Sequence, residues 1–214
     1  MITTVISEDM LSTLRDSIAT RMSEKRLNHP LGVEDMAARI ARIYCPEKEN
    51  ILRAAALLHD ITKELTPDEQ KAIATNHGYQ MSPDMTEAPS TQHAFTASLI
   101  IGEHYPNFAD EEIVKAVRYH TTGRADMSLS EKIIYLSDYI DCTRTYPDCV
   151  ALRDMFWGVD LDTMTAAERL MHLDKVLLRS FEMTVADLKA RNKRISRETA
   201  EARDCLIEKI NAQR

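Results

Sequence analysis

Helix-capping signals recur along this chain and constrain its fold class. Thr66-Pro67-Asp68-Glu69 and Ser128-x-x-Glu131 are capping boxes, in which a hydroxyl side chain and a Glu three residues later satisfy free N–H groups at the start of a helix. With only 5 Gly and 7 Pro in 214 residues, few positions favour turns. Apolar residues recur at helical spacing, and no alternating stretch is long enough to predict a strand. We therefore predict an all-α fold, an irregular helical bundle.

The predicted helices have identifiable boundaries. Asn28-His29-Pro30 is predicted to begin the second helix, because Pro is tolerated at the first helical position. Residues 78–90 carry two prolines and a glycine and are predicted to form a loop. Near residues 192–194 we expect a break between the last two helices. The predicted helices cover residues 11–22, 30–45, 48–60, 66–76, 91–105, 110–121 and 128–140, and two more follow residue 163.

Composition and charge exclude several classes of partner. The net charge is −7 and no block of Lys or Arg resembles a duplex-binding arm, so we expect no duplex nucleic acid. Residues 1–9 lack the regions of a signal peptide, and charges interrupt every apolar run, so we expect no membrane. The four cysteines form no C-x-x-C pair and are expected to be reduced thiols. The sequence predicts a soluble cytoplasmic protein and leaves open a homodimer.

The segment Leu57-Leu58-His59-Asp60 places an imidazole and a carboxylate at the end of an almost wholly apolar helix. A buried charge needs a compensating partner, and a metal ion supplies one. The alternative is a helix that ends in polar residues at the surface. A lone His-Asp dipeptide would favour the surface helix end. The choice between a surface helix end and a metal site therefore depends on the other histidines and carboxylates of the chain.

Three more histidines and one carboxylate stand in comparable positions. His29 lies at the start of an apolar helix, His93 within one, and His120 at the end of another. Asp138 is embedded in an apolar helix, where an unpaired carboxylate would be costly. Each residue alone is more often structural than a ligand. On successive helices, together with His59 and Asp60, they predict one shared metal site.

Four motifs contain these residues, apart from His93. They are Arg26-x-x-His29-x-x-Gly32-Val33, Ala56-Leu57-Leu58-His59-Asp60-Ile61-Thr62-Lys63-Glu64, His120-Thr121-Thr122-Gly123-Arg124 and Ile134-Tyr135-Leu136-Ser137-Asp138-Tyr139-Ile140-Asp141-x-x-Arg144. With these motifs the chain resembles the HD-domain superfamily and, within it, the bacterial YqeK-like proteins, from about residue 26 to about residue 206. The His-Asp element alone would indicate only a superfamily of phosphohydrolases, whereas the combination of the third and fourth motifs is far more specific.

Two departures from the family pattern adjoin Asp138. The family usually has Glu-Pro where this chain has Asp141-Cys142, so the charge is kept on a shorter stem and a proline is lost. Pro30 directly after His29 is also unusual. These changes leave all six ligand positions intact.

The resemblance implies a fold, a reaction and a ligand set. The fold would be a helical bundle of the HD-domain type, with an N-terminal helix over residues 1–22, a metal-dependent phosphohydrolase core over 23–150 and C-terminal helices over 151–214 that pack on the core. The reaction would be symmetrical hydrolysis of diadenosine tetraphosphate and related dinucleoside polyphosphates to two ADP, with a water or hydroxide nucleophile bridging two metal ions.

The same resemblance assigns the metal ligands. His29, His59 and Asp138 would hold one ion, His93 and His120 the other, and Asp60 would bridge them. Iron is the usual metal of the family. Imidazole and carboxylate ligands also suit manganese or cobalt. They suit iron, manganese or cobalt better than the thiolate ligands of a structural zinc site would.

Substrate contacts are predicted from the same motifs. Lys63 and Arg144 would bind phosphate oxygens, and Lys63 is also a candidate catalytic residue beside Asp60. Arg124 would bind phosphate bidentately, and Thr122 and Gly123 would let the backbone approach the substrate. A solvated lysine is an equal alternative for Lys63, and a helix C-cap for Gly123.

Three other functions remain open at the level of sequence. An HD-type nucleotidase on another nucleotide would have a closed pocket for a single base. A non-catalytic nucleotide sensor would be expected to have lost ligands. A purely structural bundle leaves Asp138 in an apolar helix unexplained.

Overall fold

The computed structural model describes residues 5–212, so residues 1–4 of the predicted N-terminal part and residues 213–214 of the C-terminal part lie outside it. Within the described residues, the secondary structure consists of eleven α-helices, four short 3₁₀ turns and no strand. The helices are α1 Glu8–Ala19, α2 Glu24–Tyr44, α3 Glu49–Leu58, α4 Pro67–Asn76, α5 Pro83–Glu87, α6 Gln92–His104, α7 Glu111–Tyr119, α8 Leu129–Ile140, α9 Pro147–Trp157, α10 Ala166–Ala190 and α11 Arg197–Ala212. The predicted all-α fold is confirmed.

Both predicted capping boxes are present. Thr66 accepts a hydrogen bond from the Glu69 N–H at the start of α4, and the Glu69 carboxylate accepts one from the Thr66 N–H. Ser128 and Glu131 make the same reciprocal pair at the start of α8. The last two predicted helices are also present as α10 and α11.

The predicted secondary structure is wrong at one helix boundary and misses two helices. Helix α2 begins at Glu24 and not at Pro30, because Ser23 caps it by accepting a hydrogen bond from the Arg26 N–H, and Pro30 lies inside the helix. The predicted loop over residues 78–90 contains the short helix α5. Helix α9 was not predicted, and it spans the expected domain boundary at residue 150. The division into three parts stays a prediction.

The core forms around four helices. Helices α2, α3, α7 and α8 pack against one another, α1 covers α3, α6 packs on α7, and α10 packs on α8, α9 and α11. Leu52–Leu58 of α3 is buried except at Arg53, which is why this helix lies at the centre. No helix within residues 5–212 is both long and apolar enough to cross a membrane.

Two charged clusters tie outer helices to this core. Glu34 of α2 is buried and accepts hydrogen bonds from Arg15 of α1 at 2.8 Å and Arg53 of α3 at 3.0 Å. In the second cluster, Lys132 of α8 donates to the buried Asp174 of α10. Lys209 of α11 lies 3.0 Å from the same carboxylate. Buried carboxylates of this kind are tolerated because they are paired.

We predict that Phe181→Ala destabilises the fold strongly. The Phe181 ring is fully buried on α10 and stacks on Tyr135 of α8 at 4.5 Å between ring centroids. Its removal leaves a cavity where α8 and α10 meet, so the free energy of unfolding should fall by about 3–5 kcal/mol in urea denaturation. Leu170→Ala, a change at a 42% exposed position of the same helix, should cost less than about 1 kcal/mol. Equal losses in the two variants would contradict this account of the core.

Candidate metal centre

The structure brings the six predicted ligand residues together from five helices. His29 is in the second turn of α2, and His59 and Asp60 directly follow α3. His93 opens α6, His120 caps the end of α7, and Asp138 lies near the end of α8. Four are almost completely buried, and His29 and Asp138 are partly buried.

The Asp60 carboxylate separates the four imidazoles into two pairs. Its Oδ2 atom lies 3.3 Å from His59 Nε2 and 3.7 Å from His29 Nε2. Its Oδ1 atom lies 3.1 Å from His93 Nε2 and 3.7 Å from His120 Nε2. Each carboxylate oxygen therefore faces a different pair of nitrogens, which is the arrangement that a carboxylate bridging two ions requires.

Asp138 completes the first of these pairs. Its Oδ1 atom lies 2.8 Å from His29 Nε2 and 3.8 Å from His59 Nε2. His29, His59 and Asp138 thus present one ligand atom each within 4.8 Å of one another, as do His59, Asp60 and His120. The second grouping shares His59 with the first, so the two sets of ligand atoms are contiguous.

Backbone carbonyls fix the orientation of two of the imidazoles. His59 Nδ1 lies 2.6 Å from the Ala56 carbonyl oxygen, and His120 Nδ1 lies 2.7 Å from the Val117 carbonyl oxygen. A carbonyl only accepts, so each Nδ1 must carry the proton, and in the neutral ring Nε2 then presents a lone pair to the cluster.

An excess of acceptors converges at the centre of the cluster. The Nε2 atoms of His59 and His29 are 3.4 Å apart, and those of His93 and His120 are 3.0 Å apart. Asp60 Oδ1 is buried without a conventional hydrogen-bond partner among the described residues. Lone pairs packed this closely need positive charge between them. Nitrogen and oxygen ligands without thiolates fit iron, manganese or cobalt.

Three cationic side chains border the cluster. Arg26 donates to Asp60 Oδ2, and Arg144 donates to Asp138 Oδ1. Lys63 Nζ lies 3.0 Å from His93 Nε2. Burial would raise the pKa of Asp138, but the Arg144 charge and the His29 hydrogen bond hold it well below the usual range of a carboxyl.

The imidazoles differ in their protonation. Burial lowers the pKa of His93 to about 4 and also lowers the pKa of His120. For His29, burial has the same direction of effect, but hydrogen bonds with Asp138 and Asp141 outweigh it and raise the pKa to about 9. In the absence of a metal, positive charge therefore accumulates on His29 and not on the second pair.

The comparisons with known proteins agree with this geometry. The HD domain family model matches residues 26–143, which is more than half of the chain. The chain belongs to the HD-domain family. All six candidate ligands lie within the matched residues.

Relatives cover most of this HD-domain protein. It is 34% identical to a symmetrical bis(5'-nucleosyl)-tetraphosphatase of Staphylococcus aureus over 64% of this chain and 70% of that protein. It is 28% identical to the protein of the same name in Bacillus subtilis over 85% of this chain and 89% of that protein. The resemblance to the YqeK-like branch is confirmed by these relatives.

A solved structure also superposes on the HD-domain protein. It is a predicted HD superfamily hydrolase involved in NAD metabolism from Clostridium acetobutylicum, with a TM-score of 0.79 and 32% identity. The match covers 96% of this chain and 99% of that one. The HD-type helical bundle is therefore confirmed along almost the whole chain.

Asp141 is a contributor that the sequence did not reveal as such. It is fully buried, and its Oδ2 atom lies 3.3 Å from His29 Nδ1, on the ring edge opposite Asp138. The Thr143 N–H and hydroxyl both donate to Asp141 Oδ1 and fix the carboxylate. Gly32 makes room for this contact, since a Cβ there would lie 2.9 Å from Asp141 Oδ1. A carboxylate behind a ligating histidine holds the ring in place and raises its basicity.

The predicted substrate contacts divide into two groups. Lys63 and Arg144 border a cavity that adjoins His120 and Asp138. Thr122, Gly123 and Arg124 do not line that cavity. Their role as substrate contacts stays a prediction that no contact in the structure supports.

Each residue of this second group has a structural role instead. Gly123 has a φ of +63°, and a Cβ there would lie 2.5 Å from the Phe181 ring, so both conformation and space favour glycine. Thr122 is buried and donates to Glu198 at 2.8 Å. Arg124 pairs with the buried Glu131 through two hydrogen bonds of 2.8 and 2.9 Å.

We predict that Asp60→Asn abolishes metal binding and turnover while the helical circular dichroism is retained. The amide has the shape of the carboxylate but not its charge, and one of its two ends cannot accept. Metal content after loading and the far-UV spectrum measure the two effects. Asp35→Asn, at an exposed position of α2, is the matched control and should bind metal as the unmodified protein does. A metal-loaded, active Asp60→Asn variant would show that Asp60 is not a ligand.

We predict that Asp141→Asn lowers metal affinity by about 10–100-fold. Thr143 holds Oδ1, so the amide nitrogen would replace Oδ2 beside His29 Nδ1, where it cannot accept, and the negative charge would be lost. Calorimetric titration with Mn²⁺ measures the affinity, and Asp154→Asn, at an exposed position, is the control. Asp141→Glu should restore part of the affinity if the carboxylate matters and not merely the packing. Unchanged Mn²⁺ affinity in Asp141→Asn would rule out the positioning role.

Proposed function

We propose that this HD-domain protein hydrolyses diadenosine tetraphosphate and related dinucleoside polyphosphates symmetrically, giving two ADP from diadenosine tetraphosphate. The observation that carries the proposal is the Asp60 carboxylate, whose two oxygens face two separate imidazole pairs. The names of the S. aureus and B. subtilis relatives support the choice of substrate.

The ligand set supports a pair of metal ions, for which iron is our first choice and manganese or cobalt would also suit. His29, His59 and Asp138 would hold one ion and His93 and His120 the other, with Asp60 between them. When bound, such a pair would supply an acidified water as nucleophile and would neutralise charge on the phosphate under attack.

The side chains around the cluster contribute binding and charge. Lys63 Nζ lies 4.0 Å from Asp60 Oδ1 and borders the cavity, so it can reach a phosphate oxygen held beside the cluster. Burial lowers the pKa of Lys63, and the carboxylates Asp60 and Asp138 act in the opposite direction. Its ammonium would neutralise charge that develops on the transferred phosphoryl group.

Arg144 and Arg26 have distinct tasks in this proposal. Arg144 donates twice to Asp138, from Nε to the carbonyl oxygen and from Nη2 to Oδ1, which leaves Nη1 as a donor for a phosphate oxygen at the cavity. Arg26 donates to Asp60 Oδ2 and orients that carboxylate. ADP is a good leaving group, so a dedicated general acid is less necessary here than in the hydrolysis of a phosphate monoester.

The test is product analysis after metal-loaded protein is incubated with diadenosine tetraphosphate. We expect ADP as the sole nucleotide product, because attack between the second and third phosphates divides the substrate equally. ATP plus AMP would keep a hydrolase but reject the symmetrical cleavage position. No product from the metal-loaded protein would overturn the proposal, and release of phosphate from nucleoside monophosphates would then identify a nucleotidase.

A further inference from the structure

A cavity of about 680 Å³ extends away from the ligand cluster. One wall is formed by residues at or beside the cluster, namely Lys63, His120, Asp138 and Arg144. A second wall is the start of α9, from Tyr146 to Cys149, and a third is one face of α10, from Met183 to Leu188. We call this cavity the α9–α10 groove.

Charge changes sign along the walls of the α9–α10 groove. Lys63 and Arg144, at the cluster, are cations. The α9 and α10 walls carry the carboxylates of Asp148 and Asp187 and no Lys or Arg. Asp148 would repel an occupant that is anionic throughout, and so would Asp187, although Arg191 offsets part of its charge. An occupant with phosphate at one end and neutral hydrogen-bond donors at the other fits both ends.

Aromatic rings also line the groove. Tyr135 and Tyr139 stack at 6.5 Å between ring centroids, with 22° between their planes. Tyr146 is 70% exposed at the edge of the groove and, within residues 5–212, its ring stacks on no other aromatic side chain. A tyrosine ring left this open beside a cavity gains most when a flat, apolar group covers it.

The α10 wall offers acceptors that are only partly engaged. Arg191 donates to Asp187 Oδ2 at 3.0 Å, so this exposed contact occupies one oxygen of the carboxylate. The Thr184 hydroxyl lies 3.4 Å from the Tyr139 hydroxyl. Hydroxyl groups of a ribose or an exocyclic amine are donors that suit such acceptors.

We propose that the α9–α10 groove is the subsite for one nucleoside of the substrate. The base stacks on Tyr146, the sugar or amine donors face Asp187, and the 5'-phosphates run toward Lys63 and Arg144. The volume of the groove is in the range of a pocket for a single small ligand. It therefore suits one nucleoside of the dinucleoside tetraphosphate and not both. This inference rests on the proposed function and adds the residues that recognise the nucleoside.

Binding of two probes to the metal-loaded enzyme tests the subsite. ADP carries a nucleoside and inorganic pyrophosphate does not, so calorimetry with both separates the groove from the cluster. Tyr146→Ala should weaken ADP about tenfold, in the range expected for one base–aromatic stack, and leave pyrophosphate unchanged. Tyr79→Ala, a change of another exposed tyrosine at 53% exposure outside the groove, is the matched control and should change neither.

The Asp187→Asn variant tests whether Asp187 recognises the nucleoside or acts only through its charge. Removal of a negative charge by itself strengthens binding of any anion, so a purely electrostatic role predicts tighter ADP and tighter pyrophosphate. Recognition of nucleoside donors predicts ADP weaker by several-fold while pyrophosphate is unchanged or tighter. Equal changes for the two probes in both variants would overturn the subsite.

The results can reject the nucleoside subsite and the proposed function separately. If diadenosine tetraphosphate is cleaved to ADP but Tyr146→Ala leaves ADP affinity and the KM for the dinucleotide unchanged, the function holds and the subsite is wrong. If no cleavage occurs but ADP binding still depends on Tyr146, the subsite is correct and the reaction is wrong. In the expected case, KM for the dinucleotide rises in Tyr146→Ala by a factor similar to the loss of ADP affinity.

Discussion

The buried carboxylate of Asp60, set between two pairs of imidazoles, is the constraint on which the centre of the molecule depends. An ionised carboxylate removed from water costs several kcal/mol unless it is compensated. Here the compensation comes from five helices, because each helix delivers one or two groups to the same point. The helices can bring these groups together only if their crossings are fixed, so the core packing of α2, α3, α7 and α8 and the ligand cluster support each other.

Two helix ends are used in the same way to build the cluster. His59 follows α3 and His120 follows α7, and each ring donates from Nδ1 to the carbonyl three residues earlier. The last carbonyls of a helix have no partner within the helix. One hydrogen bond therefore satisfies a helix terminus, fixes the tautomer and points Nε2 at the cluster. His29 lies inside α2, where such carbonyls are already used, and it needs Asp141 for the same purpose.

The parts of the structure that were predictable are those written in local signals. The capping boxes at Thr66 and Ser128 act within four residues, so sequence was sufficient for α4 and α8. Pro30 was misleading because a proline suits the start of a helix. The helix is instead capped by Ser23, seven residues earlier, and Pro30 lies inside α2. Helix α9 carries buried residues at Cys149, Leu152 and Phe156, too few to establish a period in so short a segment.

For the site, residue type and apolar context were enough to select six residues that converge. The supporting groups were not predictable because their partners are distant in sequence. Asp141 contacts His29 only because Gly32 leaves space for its carboxylate. The motif of Arg124 suggested phosphate binding, but Arg124 pairs with Glu131 instead. Charge type alone does not distinguish an arginine that binds substrate from one that pairs with a buried carboxylate.

The candidate metal ligands and the α9 and α10 walls of the proposed nucleoside subsite lie on different sides of the end of the family match. The match ends at residue 143, and it contains all the candidate ligands together with Lys63. The α9 and α10 walls of the α9–α10 groove begin at Tyr146, beyond that limit. Members of one family can therefore keep the cluster and change the pocket by altering the helices that follow it. If the α9–α10 groove is the nucleoside subsite that we propose, the predicted C-terminal part, residues 151–214, would contribute to substrate selection through α10 and not only to the core.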